Sequence, residues 1–301
     1  MVTEQPEAYR YCGRTFSAAE VERIRSLIAS SPAMPRVALS RAVCDDLGWL
    51  RPDGRRKDMS CRVAMLRMHR AGLICLPPPR HGDRNRGRRL RLTRASDPES
   101  PLSIPAGQVG DLDFRVVGSG SESSLWNELI GRYHYLGYKP LPGAQMRFLV
   151  FGRSQLLSAL GFGASAWKVA PRDRWIGWTA EERIRNLHLI VNNARFLILP
   201  WITSHNLASR ILSGVVRMLP ELWQQRYGFA PVLLETFVDR ERFRGTCYRA
   251  ANWIPVGQTQ GRGKLDRKHE YALPVKDVLL LPLRKDFREH LRKPPQAAEG
   301  P

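Results

Sequence analysis

The stretch PVLLETFVDRERFRGTCYRAANWIPVGQTQGRG, residues 231–263, decides the fold of this chain. It begins as an apolar strand that ends in Glu235 and Asp239, continues as a helix that carries Tyr248 and Asn252, and enters a second strand. A strand, a helix and a strand in succession are typical of an α/β sheet. The sequence therefore places two carboxylates, a phenol and a basic glycine turn at one edge of that sheet.

The residues before this stretch extend the same α/β pattern. Alternating or continuous apolar runs predict strands over 146–152, 156–162, 187–199, 231–238 and 253–259. Capping residues and helical periodicity predict helices ending near 130, starting near Thr179, and over 205–227 and 242–251. The resulting order, β-β-α-β-α-β-α-β, predicts a mixed sheet with helices on both faces.

The first part of the chain predicts a small helical domain that binds DNA. Helices are expected over 17–30, 37–47 and 58–71, and the apolar runs 73–76 and 90–92 then predict a hairpin. Three helices and a basic hairpin are typical of a winged helix-turn-helix. The arginines expected to contact DNA are Arg62, Arg67 and Arg70 on the third helix and Arg84, Arg86, Arg88 and Arg89 in the wing. The alternative is a helical packing domain with a solvated, charged hairpin.

The segment 96–113 is expected to be a linker between two domains. It is rich in Pro, Gly and Ser and contains neither Lys nor Arg. The predicted organisation is a winged-helix domain over 1–95, the linker, a mixed α/β domain over 114–290 and a disordered tail over 291–301.

The charge of the chain points to a polyanionic partner. Its 48 Lys and Arg against 28 Asp and Glu give a formal net charge of +20, which is typical of a protein that meets nucleic acid. The five cysteines are scattered without metal-binding spacing, and no apolar run approaches the ~20 residues that span a bilayer. We therefore expect a cytoplasmic protein that binds DNA and no membrane.

Glu235 and Asp239 are the leading candidates for chemistry. Glu235 lies inside an apolar strand, where a carboxylate is costly unless it is paired or functional. Asp239 lies four residues further on the same face of that strand, so the pair could bind Mg²⁺ or Mn²⁺ or exchange protons. The structural alternatives are a salt bridge from Glu235 to an arginine such as Arg195 and a helix cap by Asp239.

Other candidate residues lie outside that strand. His134 and Tyr135, in a tyrosine-rich turn, could transfer protons or stack on bases, or could belong to an aromatic core. Tyr248 and Asn252 complete the predicted catalytic set. The further candidates for contact with nucleic acid are basic side chains of the second domain, namely Arg172, Arg174, Arg195, Arg262 and Lys264.

The order of strands and helices resembles the fold shared by the N-acetyltransferases. In that fold a tyrosine late in the chain can serve as general acid, and Tyr248 lies between the last two strands, where that tyrosine is expected. The fold's phosphate loop, a basic residue followed by paired glycines, is replaced here by PWITSHN at 200–206. Because the backbone does not readily hold a diphosphate without those glycines, the sequence argues against coenzyme A.

Short motifs along most of the chain resemble the DruA-like family, which is linked to the Druantia anti-phage system and to transposable elements. The motifs are RYHYLGY at 132–138, GFGASAW at 161–167, RDRWIGW at 172–178, ARFLILPW at 194–201, NLAS at 206–209, LLETFVD at 233–239 and GTCYRAANWIPVGQTQGRG at 245–263. This resemblance implies a role in defence or in mobile-element biology, without a settled catalytic assignment.

The sequence leaves three functions open. The first is a DNA-binding protein that processes DNA through the carboxylate and tyrosine cleft of its second domain. The second is an enzyme that transfers an acyl or aminoacyl group, and the third is a non-catalytic adaptor that recruits a helicase or a transposase.

Overall fold

The computed structural model describes residues 8–51, 54–79, 90–261 and 274–292. The chain divides into two compact units, Met1–Arg88 and Arg89–Pro301.

The first unit is a helical domain preceded by a short hairpin. Its elements are β1 (Ala8–Tyr11), β2 (Arg14–Ser17), α1 (Ala18–Ser30), α2 (Arg36–Asp46) and α3 (Asp58–Arg70). Helix α1 begins at the predicted capping box, in which the Ser17 Oγ accepts a hydrogen bond from the Glu20 N–H at 3.2 Å and the Ser17 N–H donates to Glu20 at 2.9 Å. Its core is built from apolar side chains of β2 and all three helices, including Phe16, Ile24, Val43, Met65 and Met68.

The predicted wing is not formed by the segments assigned to it. Residues 73–76 and 90–92 contain no strand, and the turn 80–89 lies outside the described residues. Ile74 and Leu76 instead pack into the helical core, and the Leu76 N–H donates to Nδ1 of His69 at 3.3 Å. Three prolines, 77–79, then follow, and proline cannot donate to a strand ladder. The three helices are therefore as predicted, whereas the hairpin found here precedes α1.

The second unit is a mixed α/β domain. Its strands are β3 (Leu102–Ser103), β4 (Asp113–Val116), β5 (Gln145–Gly152), β6 (Gln155–Ala164), β7 (Ile190–Ile198), β8 (Ile202–Thr203), β9 (Leu233–Asp239), β10 (Ile254–Gln258) and β11 (Lys276–Pro282). Its helices are α4 (Ser121–Tyr133), α5 (Ala170–Ile176), α6 (Ala180–Asn186), α7 (Leu207–Tyr227), α8 (Thr246–Ala250) and α9 (Phe287–Arg292).

The main sheet of this unit has the strand order β10-β11-β9-β7-β6-β5-β4 among the described residues. The pair β7 and β9 is parallel, and the other neighbours in the sheet are antiparallel. The sheet is therefore mixed, as predicted. The predicted order lacks β11, which enters between β9 and β10 and separates the two strands of the opening stretch.

Helices cover both faces of the sheet, as expected. Leu233 and Leu234 are successive residues of β9, so their side chains lie on opposite faces. Leu234 packs in the cluster that contains residues of α4, α7 and α8, and Leu233 packs with Ile176 of α5 and Phe287 of α9.

The predicted linker, 96–113, is part of the second unit. Buried Glu128 on α4 accepts hydrogen bonds from the Thr93 N–H at 2.7 Å and from the Ser96 hydroxyl at 3.0 Å. Val109 is fully buried in the main core, and β3 pairs in parallel with β8. Pro, Gly and Ser disfavour long regular elements, but they do not prevent packing, so composition alone was a wrong guide here.

A buried ion pair fixes α5 to the centre of the sheet. Arg172 Nη1 donates to Glu235 Oε2 at 2.8 Å, and neither side chain is exposed to solvent. The other carboxylate oxygen accepts the Ala166 N–H at 2.8 Å. Arg172 also donates twice to Asp173 Oδ1, at 2.9 and 2.8 Å, so its guanidinium joins two carboxylates. Burial raises the pKa of the Glu235 carboxyl. The charge of Arg172 and the hydrogen bonds that Glu235 accepts from Arg172 and from the Ala166 N–H oppose that rise.

We predict that Arg172→Met lowers the free energy of unfolding by about 3–5 kcal/mol, because it leaves the Glu235 carboxylate buried without its counter-ion. The double variant Arg172→Met/Glu235→Leu should recover most of that loss, since it removes both charges. Urea denaturation measures both effects, with Arg174→Met on the exposed side of α5 as the matched control. Equal stability of wild type and Arg172→Met would contradict a structural role for the pair.

Candidate functional site

A cavity of about 480 Å³ opens where β7 and β9 separate. The two parallel strands are paired over Ile190–Asn192 and Leu233–Glu235. Beyond these positions, residues 193–194 and 196–198 of β7 and residues 236–239 of β9 line the cavity instead. The volume lies within the range of small-molecule sites in proteins.

A bulge in β7 accompanies this separation. The register of β7 against β6 shifts so that Gly161 lies opposite Arg195 and Phe162 opposite Asn193, which leaves Ala194 as an extra residue. A bulge bends the strand that carries it. It begins at the residue after the last β7–β9 pair, so the bend coincides with the opening of the cavity.

The walls are mostly apolar and aromatic. They come from the turn after α4, the second half of β7, the end of β9 and the segment that leads into α8. The lining residues are Tyr133, His134, Tyr135, Leu136, Asn193, Ala194, Phe196, Leu197, Ile198, Pro200, Ala208, Thr236, Phe237, Val238, Asp239, Phe243, Arg244, Gly245, Thr246, Cys247 and Tyr248.

A buried tyrosine and a buried asparagine are coupled in the cavity wall. The Tyr248 hydroxyl donates to Asn193 Oδ1 at 2.6 Å. The Asn193 amide nitrogen is oriented by the carbonyl oxygens of Arg195 at 3.2 Å and Gly161 at 3.4 Å. The Thr236 hydroxyl donates to the Asn193 carbonyl oxygen at 3.1 Å across the opening between the strands. Burial raises the pKa of Tyr248, so its phenol keeps its proton at neutral pH.

His134 follows the last turn of α4 and stacks on Tyr135 with ring centroids 4.9 Å apart. Its Nδ1 lies 3.2 Å from the Leu136 N–H and accepts a hydrogen bond from it. Burial, together with the charges of Arg195 and Lys276, lowers the pKa of His134 to about 4. The ring is therefore neutral at pH 7 and carries its proton on Nε2, which makes it a hydrogen-bond donor rather than a base.

We give the name cavity rim to four charged residues beside the cavity: Asp239, which lines it, and Arg195, Arg242 and Lys276, which do not. Asp239 is almost completely buried, and its Oδ2 lies 3.8 Å from Arg242 Nε. Lys276 lies directly opposite Asp239 in the β9–β11 register, and Arg195 follows the lining residues Asn193 and Ala194. The cavity rim thus contains three positively charged side chains and one carboxylate.

The structure brings together four of the predicted catalytic residues, Asp239, Tyr248, His134 and Tyr135, in the cavity wall. Glu235 requires correction, because it is fully buried, outside the cavity lining, and has both oxygens engaged. Asn252 is exposed between α8 and β10, with a left-handed φ of 63°, a conformation that asparagine tolerates at a turn. It also does not line the cavity.

The residues predicted to bind nucleic acid are divided among several environments. Arg67, Arg70 and Arg174 are exposed, Arg62 and Arg195 are half-buried, and Arg172 is fully buried in its ion pair, so Arg172 cannot contact a nucleic acid. The remaining candidates, Arg84, Arg86, Arg88, Arg89, Arg262 and Lys264, lie outside the described residues.

The proposed metal pair does not share a site. Asp239 lines the cavity, whereas the Glu235 carboxylate is held by Arg172 and Ala166. Within the part of the chain that the structure describes, no group of three or more His, Cys, Asp and Glu side chains could hold a metal ion. No helix among those same residues has the length and apolar character needed to cross a membrane.

Sequence reasoning left Asn193, Thr236 and Lys276 out of the site. Asn193 gave a usable signal, because an amide inside an apolar strand needs a hydrogen-bond partner. Thr236 is an ordinary strand residue by pattern, and Lys276 belongs to the strand that was not predicted, so neither gave a signal.

These features define a mixed α/β protein with a substrate-sized cavity between two separating parallel strands. The chain belongs to the DruA family, because the family profile described as Druantia protein DruA matches residues 68–271, more than half of the chain. The predicted family is thereby confirmed. No curated protein shows significant sequence similarity to the chain.

Several solved acetyltransferases are similar to the chain at low TM-scores. An N-acetyltransferase from Staphylococcus aureus Mu50 has 8% identity and a TM-score of 0.34, with 58% of this chain and 99% of that chain covered. The polyamine N-acetyltransferase of Drosophila melanogaster has 11% identity and a TM-score of 0.35, with 56% and 100% covered. Mycobacterium smegmatis RimJ in complex with CoA-disulfide has 13% identity and a TM-score of 0.36, with 64% and 91% covered. Scores this low establish neither a common fold nor an activity.

We predict that His134 titrates at a pKa of about 4 in the native protein, well below its ordinary value of 6.5. Its contribution to stability is therefore complete above pH 6.5 and is lost as the pH falls towards 4, because only the unfolded chain binds the proton in that window. Imidazole ¹⁵N NMR measures the pKa, and unfolding of His134→Gln should depend less on pH across the same window. Titration of His134 near 6.5 would contradict the assignment.

Proposed function

We propose that this DruA family member serves in anti-phage defence as an enzyme that transfers an acyl or aminoacyl group, with nucleic acid as its target. The observation that carries the proposal is the cavity between β7 and β9, with apolar walls and a protonated tyrosine, Tyr248, held by Asn193. Apolar walls suit an acyl or amino-acid side chain. The Tyr248 phenol keeps its proton at neutral pH, and this proton would pass to a leaving group once the hydroxyl turns from Asn193 Oδ1 into the cavity.

The cavity favours transfer over metal-dependent cleavage of DNA. Two-metal cleavage needs carboxylates that converge on the ions. Of the two strand carboxylates, Asp239 alone reaches the cavity, and Glu235 is occupied by Arg172. The Nε2–H of His134, and the Tyr248 hydroxyl once it turns from Asn193 Oδ1 towards a ligand, instead suit a carbonyl carbon whose oxygen gains negative charge.

Nucleic acid is the target that the charge of the chain favours. The net charge of +20 exceeds what solubility requires. In the first unit, Arg67 and Arg70 near the end of α3 are exposed and have no ion pair with any described residue. Free cations on one helix are suited to contact phosphates, which agrees with a DNA-binding role for this unit.

We predict that Tyr248→Phe lowers the rate of transfer roughly a hundredfold or more, because the variant lacks the proton donor but keeps the ring. Purified protein is incubated with labelled acyl-coenzyme A or aminoacyl-tRNA, and with duplex DNA, single-stranded DNA or RNA as acceptor. Label that moves to the acceptor is then counted.

Tyr227→Phe is the matched control for this experiment. Its hydroxyl bonds the backbone of Gln145, at 2.6 and 2.8 Å, outside the cavity lining. This variant should lose stability without losing transfer. Absence of transfer from either donor class by the wild type, with nucleic-acid binding intact, would refute the enzyme and favour a DNA-binding adaptor.

We also predict that the double variant Arg67→Gln/Arg70→Gln weakens DNA binding and lowers the slope of log K against log salt by about one for each phosphate that the protein no longer neutralises. Fluorescence anisotropy at several salt concentrations measures both quantities. The control is Arg23→Gln/Arg56→Gln, because these exposed arginines are already paired with Asp46 and Asp45. Equal salt slopes for the two double variants would place the DNA-binding surface elsewhere.

A further inference from the structure

The half-buried guanidinium of Arg195 lacks a counter-ion. Its Nη1 donates to the Ala194 carbonyl oxygen at 2.6 Å, and its Nε is buried without a hydrogen-bond partner. None of the carboxylates in the described ranges comes within 4.0 Å of it. Burying a charge without a partner is costly, and burial lowers the pKa of Arg195. An ionisable group that is perturbed and unpaired beside a cavity is a candidate for ligand binding.

Lys276 adds a second cation to the same place. It lies directly opposite Asp239 in the register of β9 and β11, yet it forms no ion pair within 4.0 Å among the residues that the structure describes. The nearest guanidinium to Asp239 is that of Arg242, with Nε at 3.8 Å from Oδ2. The cavity rim therefore keeps a surplus of positive charge after its carboxylate is counted.

His134 lines the cavity together with Asp239, which lies opposite Lys276 in the strand register, and with Ala194, the neighbour of Arg195. The charges of Arg195 and Lys276 lower the pKa of His134. Because its Nδ1 accepts the Leu136 N–H, the neutral ring offers the Nε2–H as a further donor. Two cations without a counter-ion and one neutral donor match an anion with several oxygens.

We propose that Arg195, Lys276 and His134 form a binding site for a phosphate group at the rim of the cavity. The site rests on the proposed function, because it names the substrate class of that cavity: a phosphorylated substrate whose reacting group enters between β7 and β9. The phosphate belongs to a free nucleotide or to the end of a nucleic-acid strand. Both sources share the same chemistry at the rim.

Phosphate suits the rim better than a carboxylate does. A phosphate has enough oxygens for the remaining terminal N–H groups of Arg195, the ammonium and the imidazole N–H together, whereas a carboxylate has only two oxygens to share among them. The site is also distinct from the N-terminus of α7, where the predicted loop for a diphosphate lacks its glycines. Phosphate binding here therefore needs no glycine-rich loop.

The test follows His134 by imidazole NMR while inorganic phosphate, adenosine monophosphate or a 5′-phosphorylated single-stranded oligonucleotide is added to the full chain. Bound phosphate should raise the pKa of His134, because a nearby anion favours the imidazolium. Arg195→Gln should weaken binding of each probe roughly tenfold or more, since it removes a charged hydrogen-bond donor. Lys276→Gln, on the sheet edge side of the rim, provides a second variant should Arg195→Gln fail to fold.

Arg147→Gln is the matched control, because Arg147 is also half-buried but already donates to Asn127 at 3.1 Å and Ser123 at 3.0 Å. It should bind each probe as the wild type does. Tighter binding of the oligonucleotide than of the mononucleotide would assign the phosphate to a strand, and equal binding would assign it to a free nucleotide.

Two results would overturn the site: an unchanged His134 pKa at saturating phosphate, or equal affinities for Arg195→Gln and Arg147→Gln. The measurement needs no transfer activity. Loss of the transferase proposal would therefore leave phosphate binding standing, and a failed phosphate site would leave transfer to be judged on Tyr248 alone.

Discussion

The buried ion pair between Arg172 and Glu235 is the contact on which the geometry of the second unit depends. Glu235 is the last residue of β9 that pairs with β7, and its carboxylate is bound from one side by Arg172 and from the other by the Ala166 N–H. The pair thus fastens α5 and the end of β6 to the point where the two strands cease to be neighbours. A buried pair of this kind adds little net stability compared with apolar packing, but removal of one partner is costly. The effect of the ion pair is to fix the position in the sheet at which β9 stops pairing with β7.

Strand β9 therefore contributes a buried ion pair to the sheet at Glu235 and, over the next four residues, contributes to the cavity wall. Up to Glu235, β9 pairs with both β7 and β11, and the buried Glu235 carboxylate is paired with Arg172. From Thr236 to Asp239, its residues line the cavity, and the bulge at Ala194 bends β7 at the same level. A sheet that opens in its interior exposes backbone and side-chain polar groups to a ligand, while β9 stays paired with β11 and β7 with β6. The hydrogen bond from the Tyr248 hydroxyl to Asn193 Oδ1 is one polar contact in the wall of that opening.

Much of the fold was predictable because it depends on local patterns. The capping boxes at Ser17 and Thr179, the apolar runs of β5 and β6 and the amphipathic stripe of α7 are signals within a few residues. The site was predictable in part. His134, Tyr135, Asp239 and Tyr248 reach the cavity. The salt bridge weighed for Glu235 is present, but its partner is Arg172 rather than the suggested Arg195, because the choice depends on how α5 packs on the sheet. Lys276 was missed together with β11, whose insertion between β9 and β10 is a long-range choice that local pattern does not encode.

The segment 96–113 has the composition of a flexible linker, yet its residues pack into the core of the α/β unit. Its residues pack under α4, and the carbonyl groups of Ala106 and Gly110 accept both terminal nitrogens of Arg210 on α7. A recombination event could replace the helical unit and cut the chain within this segment. Such an event would remove residues that are buried in the α/β unit. Gene fusions and domain swaps in this family should therefore have their junctions upstream of residue 89, so that the segment is inherited with the α/β unit.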